Sequence, residues 1–196
     1  MAKVNGNGLL FRIGRFVYRS LFSTIWRAEV IGSENVPKTG GVIIAPNHLS
    51  LADPPLTGSY LSRPLFFMAK KELFKIPVFG KIISMVNAFP VARNKQDVGA
   101  FRTAIKLLKR GNALLIFPEG TRSRNGQIGN ARSGIAMIAA AANVPVVPVR
   151  IINSNNILKL GRVKIVYGSA MLPPVFGQKG EYKKFAEQII EEIKKL

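Results

Sequence analysis

Five short apolar runs punctuate this chain: Val42–Ala45, Leu65–Ala69, Ala113–Phe117, Val146–Ile152 and Val163–Tyr167. Each has the length and composition of a buried strand. Between and after them the apolar spacing lengthens to that of a helix. From Asp97 to Arg110, Phe101, Ile105 and Leu108 lie along one face, and Gly111 is placed to close the end. Ala131–Asn143 is a second helix, rich in alanine. Tyr182–Lys195 is a third, with Phe185, Ile189, Ile190 and Ile193 as its stripe. Strands alternating with helices predict an α/β fold: a single domain with a mostly parallel or mixed sheet flanked by helices. A chain of 196 residues that is 47% hydrophobic is long enough to bury such a core.

The N-terminal segment has a different pattern. On a helical wheel Arg12, Arg15, Arg19 and Arg27 fall on one side with Ser20 and Ser23, while Leu10, Ile13, Val17, Leu21 and Ile25 fall opposite. Phe22 and Trp26 lie near the boundary. This suits an amphipathic helix lying in a membrane surface, its arginines toward lipid phosphates. The same pattern also suits a helix packed on the protein's own core. Arginines interrupt any signal-peptide core, and the segment is too charged to cross a bilayer. Gly134–Val149 lacks charge but is too short and is broken by Pro145 and Pro148. The expected organisation is an interfacial helix over 1–28 and a catalytic or binding domain over 29–196.

Charge narrows the partners. Twenty-nine Lys and Arg against ten Asp and Glu give a formal +19, which calls for an anionic partner. A basic module that binds nucleic acid or membrane without catalysis is one class that fits. However, the chain has no RNA-binding signature, zinc framework or basic-aromatic platform, so nucleic acid is not expected as a partner. There is no cysteine and only one histidine. Disulfides and thiolate catalysis are thereby excluded, and a metal site is not expected.

Two polar loops leave apolar strands, where an α/β sheet places its site. The first is Asn47-His48-Leu49-Ser50-Leu51-Ala52-Asp53, followed by Pro54-Pro55. A carboxylate at Asp53 can fix the tautomer of His48 and leave the other ring nitrogen free to take a proton. Equally, Asp53 can be the N-cap of a helix that begins with proline, with His48 an ordinary loop residue. Ser50 is surrounded by nothing like a nucleophile elbow and reads as a hydroxyl bonding within the loop. The second loop, Pro118-Glu119-Gly120-Thr121-Arg122-Ser123, offers backbone N–H groups, a hydroxyl and a guanidinium, the parts of a phosphate cradle. Arg124 and Arg132 add charge nearby. A turn with a solvated arginine fits the same tetrapeptide. Arg93 ends a further apolar segment, Phe89–Arg93.

Together these segments resemble the glycerolipid acyltransferase family, most closely its 1-acylglycerol-3-phosphate acyltransferase branch. Asn47–Asp53 matches the motif N-H-x-S-x-x-D, and Phe117–Ser123 matches F-P-E-G-T-R-S over its full length. Phe89–Arg93 and Val144–Val149 are similar to the family's second and fourth motifs and stand in the family's order. Two departures bear on the choice of acceptor. Asn87-Ala88 precede the second motif where glycine is common, and Ala131-Arg132-Ser133-Gly134 replaces a lysine-rich F-K-K-G.

The resemblance implies that His48, oriented by Asp53, removes the proton from an acceptor hydroxyl that attacks an acyl thioester directly. It implies that Glu119, Gly120, Thr121 and Arg122 hold the acceptor's glycerol phosphate, with Arg93 as a further contact. The implied acceptor is lysophosphatidic acid. The donor would be acyl-CoA or acyl-carrier protein, used as co-substrate with no other cofactor. The implied location is the cytoplasmic side of the cell membrane, as a peripheral or monotopic protein. Another lysophospholipid, glycerol 3-phosphate or a lipoamino acid remain alternative acceptors.

Overall fold

In the structure, a computed structural model, residues 9–92 and 97–196 are described. Seven strands form one sheet: β1 (Glu29–Ile31), β2 (Val42–Pro46), β3 (Leu65–Lys70), β4 (Ala88–Val91), β5 (Ala113–Leu115), β6 (Val146–Ile152) and β7 (Lys164–Tyr167). Their order across the sheet is β1-β7-β6-β2-β5-β3-β4. Every neighbouring pair is parallel except β6 with β7. The sheet is therefore mixed, with a parallel centre. Short β1 escapes a periodicity reading because two of its three side chains are exposed and it pairs only at the edge.

Among the described residues six helices flank the sheet: α1 (Leu9–Thr24), α2 (Asp53–Ser59), α3 (Phe79–Met85), α4 (Val98–Lys109), α5 (Gly134–Ala142) and α6 (Lys179–Lys195). One face of the sheet packs against α4, α5 and α6 through Ile43, Phe66, Leu114 and Val146. On α6, Phe185, Ile189, Ile190 and Ile193 are buried as the sequence pattern requires. Each fully buried side chain of this kind stabilises the fold by about 1.5–3 kcal/mol. Ile44, Leu65, Leu115, Val147 and Ile165 line the opposite face, where Phe22 of α1 and Leu56 of α2 cover them.

Several boundaries move for identifiable reasons. Strand β5 stops at Leu115, not Phe117; Ile116 N–H still bonds Ile44 O, and then the chain leaves the ladder at Phe117-Pro118. Helix α5 begins at Gly134 because Arg132 N–H is bonded to Pro118 O, which keeps 131–133 in the loop. Asp53 is the first helical residue and Ala52 the N-cap, a correction to the expected capping role. The Asp53 carboxylate points back to the loop before the helix instead.

Helix α1 meets the protein through the residues at its wheel boundary. Tyr18, Phe22 and Trp26 stack in a ladder with ring centroids 4.6 and 4.5 Å apart, and Trp26 Nε1–H donates to Ile157 O at 2.7 Å. Ile13, Val17, Leu21 and Ile25 stay exposed, with Phe16 beside them. The side chain of Leu10 lies outside the described residues. Among the described residues no helix is long and apolar enough to cross a membrane.

Tyr167 ties the sheet to the helix that carries Asp53. Its buried hydroxyl donates to Thr57 O at 2.7 Å, and Thr57 Oγ1 donates to Asp53 O at 2.8 Å. Burial, and to a lesser extent Tyr60, raises the Tyr167 hydroxyl far above the ordinary tyrosine range. In the unfolded chain that hydroxyl ionises at about pH 10. The folded state's advantage is thus complete below that pH and shrinks as pH rises through it. Tyr167→Phe is expected to lower stability in urea unfolding by about 1–3 kcal/mol at neutral pH. Above pH 10 or so the variant should lose stability less steeply than the parent chain.

Candidate active site

Strands β2 and β5 are parallel neighbours, in register Val42↔Ala113 to Ile44↔Leu115, so their carboxyl ends deliver the two motif loops side by side. The first loop is anchored by Asn47, whose side chain acts as an extra strand residue. Its Nδ2 donates to Ile151 O at 3.0 Å, and its Oδ1 accepts from Ile151 N–H at 2.7 Å. Next in the chain, His48 and Asp53 are both buried, the aspartate completely. His48 Nδ1 lies 2.9 Å from Asp53 Oδ2. An ionised carboxylate only accepts, so facing it Nδ1 carries the hydrogen, and in the neutral imidazole Nε2 then keeps its lone pair. The same Oδ2 accepts the Leu49 and Ser50 N–H groups, each at 2.7 Å, which closes the loop around the pair. Ser50 Oγ accepts Ala52 N–H at 3.2 Å, so its hydroxyl works within the loop.

The second loop holds the first through its backbone. His48 N–H donates to Glu119 Oε1 at 2.8 Å, and His48 O accepts Ser123 N–H at 2.8 Å. The other Glu119 oxygen accepts Gly129 N–H at 2.8 Å. Buried Glu119 thus spends both oxygens on positioning. Phe117 lies flat against the imidazole, with ring centroids 3.7 Å apart and 12° between planes. The histidine is fixed on one ring face by an aromatic wall and at Nδ1 by a carboxylate. Burial, with smaller contributions from the Asp53 charge and Tyr60, pushes the Tyr18 hydroxyl well above its ordinary range. Helix α1 therefore comes within electrostatic reach of the dyad.

Thr121, Arg122, Arg124 and Arg132 remain exposed around Gly120. Gly120 has φ +71°, and a Cβ there would stand 2.8 Å from Arg132 Cδ and 2.9 Å from its Nε. The glycine both permits the left-handed turn and lets the Arg132 side chain cross the loop. Arg132 is the basic residue kept in the altered lysine-rich segment, so that departure leaves a guanidinium at the loop. Arg93 lies outside the described residues; Asp97 receives the Ala92 and Ala100 N–H groups on either side of that gap. These two bonds hold the Asp97 carboxyl below its usual range.

Nothing in the local sequence around Asn47 or Phe117 discloses these contacts, because their partners are distant in the chain. Among the described residues no group of three or more histidine, aspartate or glutamate side chains could hold a metal ion. A surface cavity of about 870 Å³ between α6 and the stretch after β7, lined by Asn35, Met171, Lys184 and Glu187 among others, touches neither motif loop. The buried dyad beside exposed cations is therefore the candidate site.

A model of the family described as Acyltransferase matches residues 27–152, which span both loops and the sheet centre. The chain belongs to the acyltransferase family. The Bacillus subtilis 1-acyl-sn-glycerol-3-phosphate acyltransferase is 30% identical to this family member over 175 residues, covering 86% of this chain and 87% of that protein. The chloroplastic 1-acyl-sn-glycerol-3-phosphate acyltransferase BAT2 of Brassica napus is 31% identical over 163 residues, 80% of this chain and 47% of that one. The chain spans about half the length of several such curated relatives. The crystal structure of the 1-acyl-sn-glycerophosphate acyltransferase PlsC from Thermotoga maritima is similar with a TM-score of 0.73 and 30% identity. That match covers 95% of this chain and 80% of PlsC.

Because the chain has a single histidine, its imidazole nitrogen signals need no assignment. Nitrogen NMR of the labelled protein should show that the neutral imidazole carries its hydrogen on Nδ1 and leaves Nε2 bare. Asp53→Asn should mix the tautomers, since the amide can turn either its oxygen or its NH₂ toward the ring. An unchanged tautomer in that variant would show that Asp53 does not set it.

Proposed function

We propose that this acyltransferase-family chain moves a fatty acyl group from an acyl thioester to the sn-2 hydroxyl of 1-acylglycerol 3-phosphate, forming phosphatidic acid. One observation carries the reading. The His48 main chain is bonded at both its N–H and its carbonyl to the loop that carries Thr121 and Arg122. Base and phosphate-binding cations thereby form one bonded unit. An acceptor held by its phosphate would present its hydroxyl to the imidazole with little freedom left to lose.

In the proposed cycle His48 Nε2 takes the hydroxyl proton as the acceptor oxygen attacks the thioester carbonyl. Asp53 stabilises the resulting imidazolium and holds the ring. Collapse of the tetrahedral intermediate breaks the carbon–sulfur bond, and the imidazolium returns its proton to the departing thiolate. Arg122 and Thr121, with the Gly120 backbone and Arg132, are assigned to the phosphate, and Arg93 to a further contact with it. Glu119 is assigned to holding the loops. The relatives named for 1-acyl-sn-glycerol-3-phosphate support this acceptor, and the +19 charge suits the phosphates of both substrates. CoA and acyl-carrier protein are both anionic donors that such a surface attracts.

We place the chain at the cytoplasmic face of the cell membrane, attached through the stripe Ile13, Val17, Leu21 and Ile25 that α1 leaves exposed. An acceptor with one acyl chain resides in that leaflet, which favours a site reached from the lipid surface.

His48→Ala in purified protein should lower turnover by about 10²–10⁴-fold, the usual share of a general base. Urea unfolding and vesicle binding should be retained; turnover near the parent value would overturn the mechanism. Arg122→Ala should raise KM for lysophosphatidic acid about ten- to hundredfold through loss of a charge-assisted contact. A monoacylglycerol acceptor, which lacks the phosphate, should not distinguish parent from variant. A panel with lysophosphatidic acid, other lysophospholipids, glycerol 3-phosphate and a lipoamino acid, against CoA and carrier-protein donors, tests the substrate pair.

A further inference from the structure

The β3 edge of the sheet carries apolar surface that the proposed reaction does not use. Strand β3 ends at Lys70, at the same carboxyl edge as the two motif loops. The chain then makes a 3-10 turn, Lys71–Lys75, followed by a tip at Ile76–Val78 and by α3. Ile76, Val78, Phe79, Ile82, Met85 and Val86 are all exposed. Gly80 is buried and Ile83 half-buried; a Cβ on Gly80 would stand 2.4 Å from Phe74 O. The segment is thus held down at Gly80 while six large side chains turn out.

Val78 has φ 64° and ψ −56°, and Phe79 N–H donates to Pro77 O at 2.7 Å. That is a γ-turn of positive φ, a strained conformation for a β-branched residue. The strain holds a valine that is 74% exposed, and Ile82 beyond it is 52% exposed. Strain kept at an exposed apolar tip points to a use outside the fold. Between residues 70 and 86 four lysines, at 70, 71, 75 and 81, stand against one acidic residue, Glu72. All four are exposed.

Right-handed crossovers from β2 to β3 and from β3 to β4 advance in the same direction across the sheet, so α3 lies on the face that holds α2. Helix α1 packs on that face too. Helix α1 feeds β1 at one sheet edge, whereas α3 feeds β4 at the other, with β2 and His48 between them. We propose that Ile76–Val86 is a second lipid contact, a lip that seats its apolar side chains in an anionic leaflet while its lysines meet lipid phosphates. This rests on the lipid-acceptor reading above and adds to it. Contacts toward both ends of the sheet would fix its tilt, so that the carboxyl edge carrying the His48 loop faces the leaflet from which the acceptor comes.

The absence of cysteine makes single-site labelling clean. Full-length Val78→Cys and Ile82→Cys would carry an environment-sensitive nitrobenzoxadiazole probe. Lys109→Cys in α4 serves as the control on the other face, and Val17→Cys reports α1. With vesicles of phosphatidylglycerol and phosphatidylethanolamine, probes at 78 and 82 should blue-shift and become accessible to quenchers in the acyl chains, while the probe at 109 stays in water. Replacing Lys75 and Lys81 together by Gln should weaken vesicle partition about thirtyfold. Probes at 78 and 82 that stay in water overturn the lip, whether or not the probe at 17 inserts. A shift that appears without lipid and grows with protein concentration assigns the surface to a second copy. A shift caused by acyl-carrier protein alone assigns it to that acidic partner; either result overturns the proposal. Absence of acyl transfer by the unmodified chain would instead overturn the functional reading, and the probes report independently of it.

Discussion

Glu119 stands buried between two loops, with the His48 N–H on one oxygen and the Gly129 N–H on the other, both at 2.8 Å. A carboxylate taken out of water is costly unless such donors replace its solvation. The loops that supply them are therefore held in an arrangement that satisfies the charge. The Ser123 N–H to His48 O bond closes the same ring of contacts from the other side. Imidazole position, cation loop and the turn at Gly120 all follow from this junction.

Asp53 meets the same rule at one oxygen only. Its Oδ2 collects Nδ1–H from His48 and two backbone N–H groups, while its buried Oδ1 has no hydrogen-bond partner among the described residues. Fixed donors of this kind suit a group that must stabilise an imidazolium without reorganising. The stack with Phe117 adds a constraint that neither carboxylate supplies, the plane of the ring. Through Thr57 and Tyr167 the dyad's helix is also tied to the far side of the sheet.

Placement of the acidic residues shapes the outer surface as much as the lysines do. Two of the ten are buried in the site, and four on α6 pair with its own lysines. Surface pairs of that kind contribute little stability, about 0–1 kcal/mol each. Their effect is to leave the remaining excess positive charge away from α6, on α1, α4, the cation loop and the lip after β3 among other places. Apolar stripes stand beside the cations on α1 and the lip, the combination an anionic lipid surface attracts.

How much of this was legible from residues alone depended on range. Strands β2, β3, β6 and β7 read correctly to within about a residue, because a buried strand must be apolar whatever surrounds it. The α6 stripe and the glycine after α4 were legible for the same local reason. His48, Asp53 and the Glu119–Arg122 loop could be named from motif order. Their contacts could not, since Glu119 is bonded to an amide 71 residues away and to Gly129. Asn47 was silent because its partner is 104 residues distant, and Phe117 because a strand reading hid its turn toward the imidazole. On α1 the sequence predicted an amphipathic helix, lying in a membrane surface or packed on the core. In the structure the Tyr18–Phe22–Trp26 ladder meets the protein while the aliphatic stripe stays outside. By itself, then, the sequence determined the fold class, the core positions and the chemical parts, all of which depend on spacing along the chain. The tertiary structure alone decided that Glu119 meets the His48 amide, because that contact depends on the strand register that sets the two loops side by side.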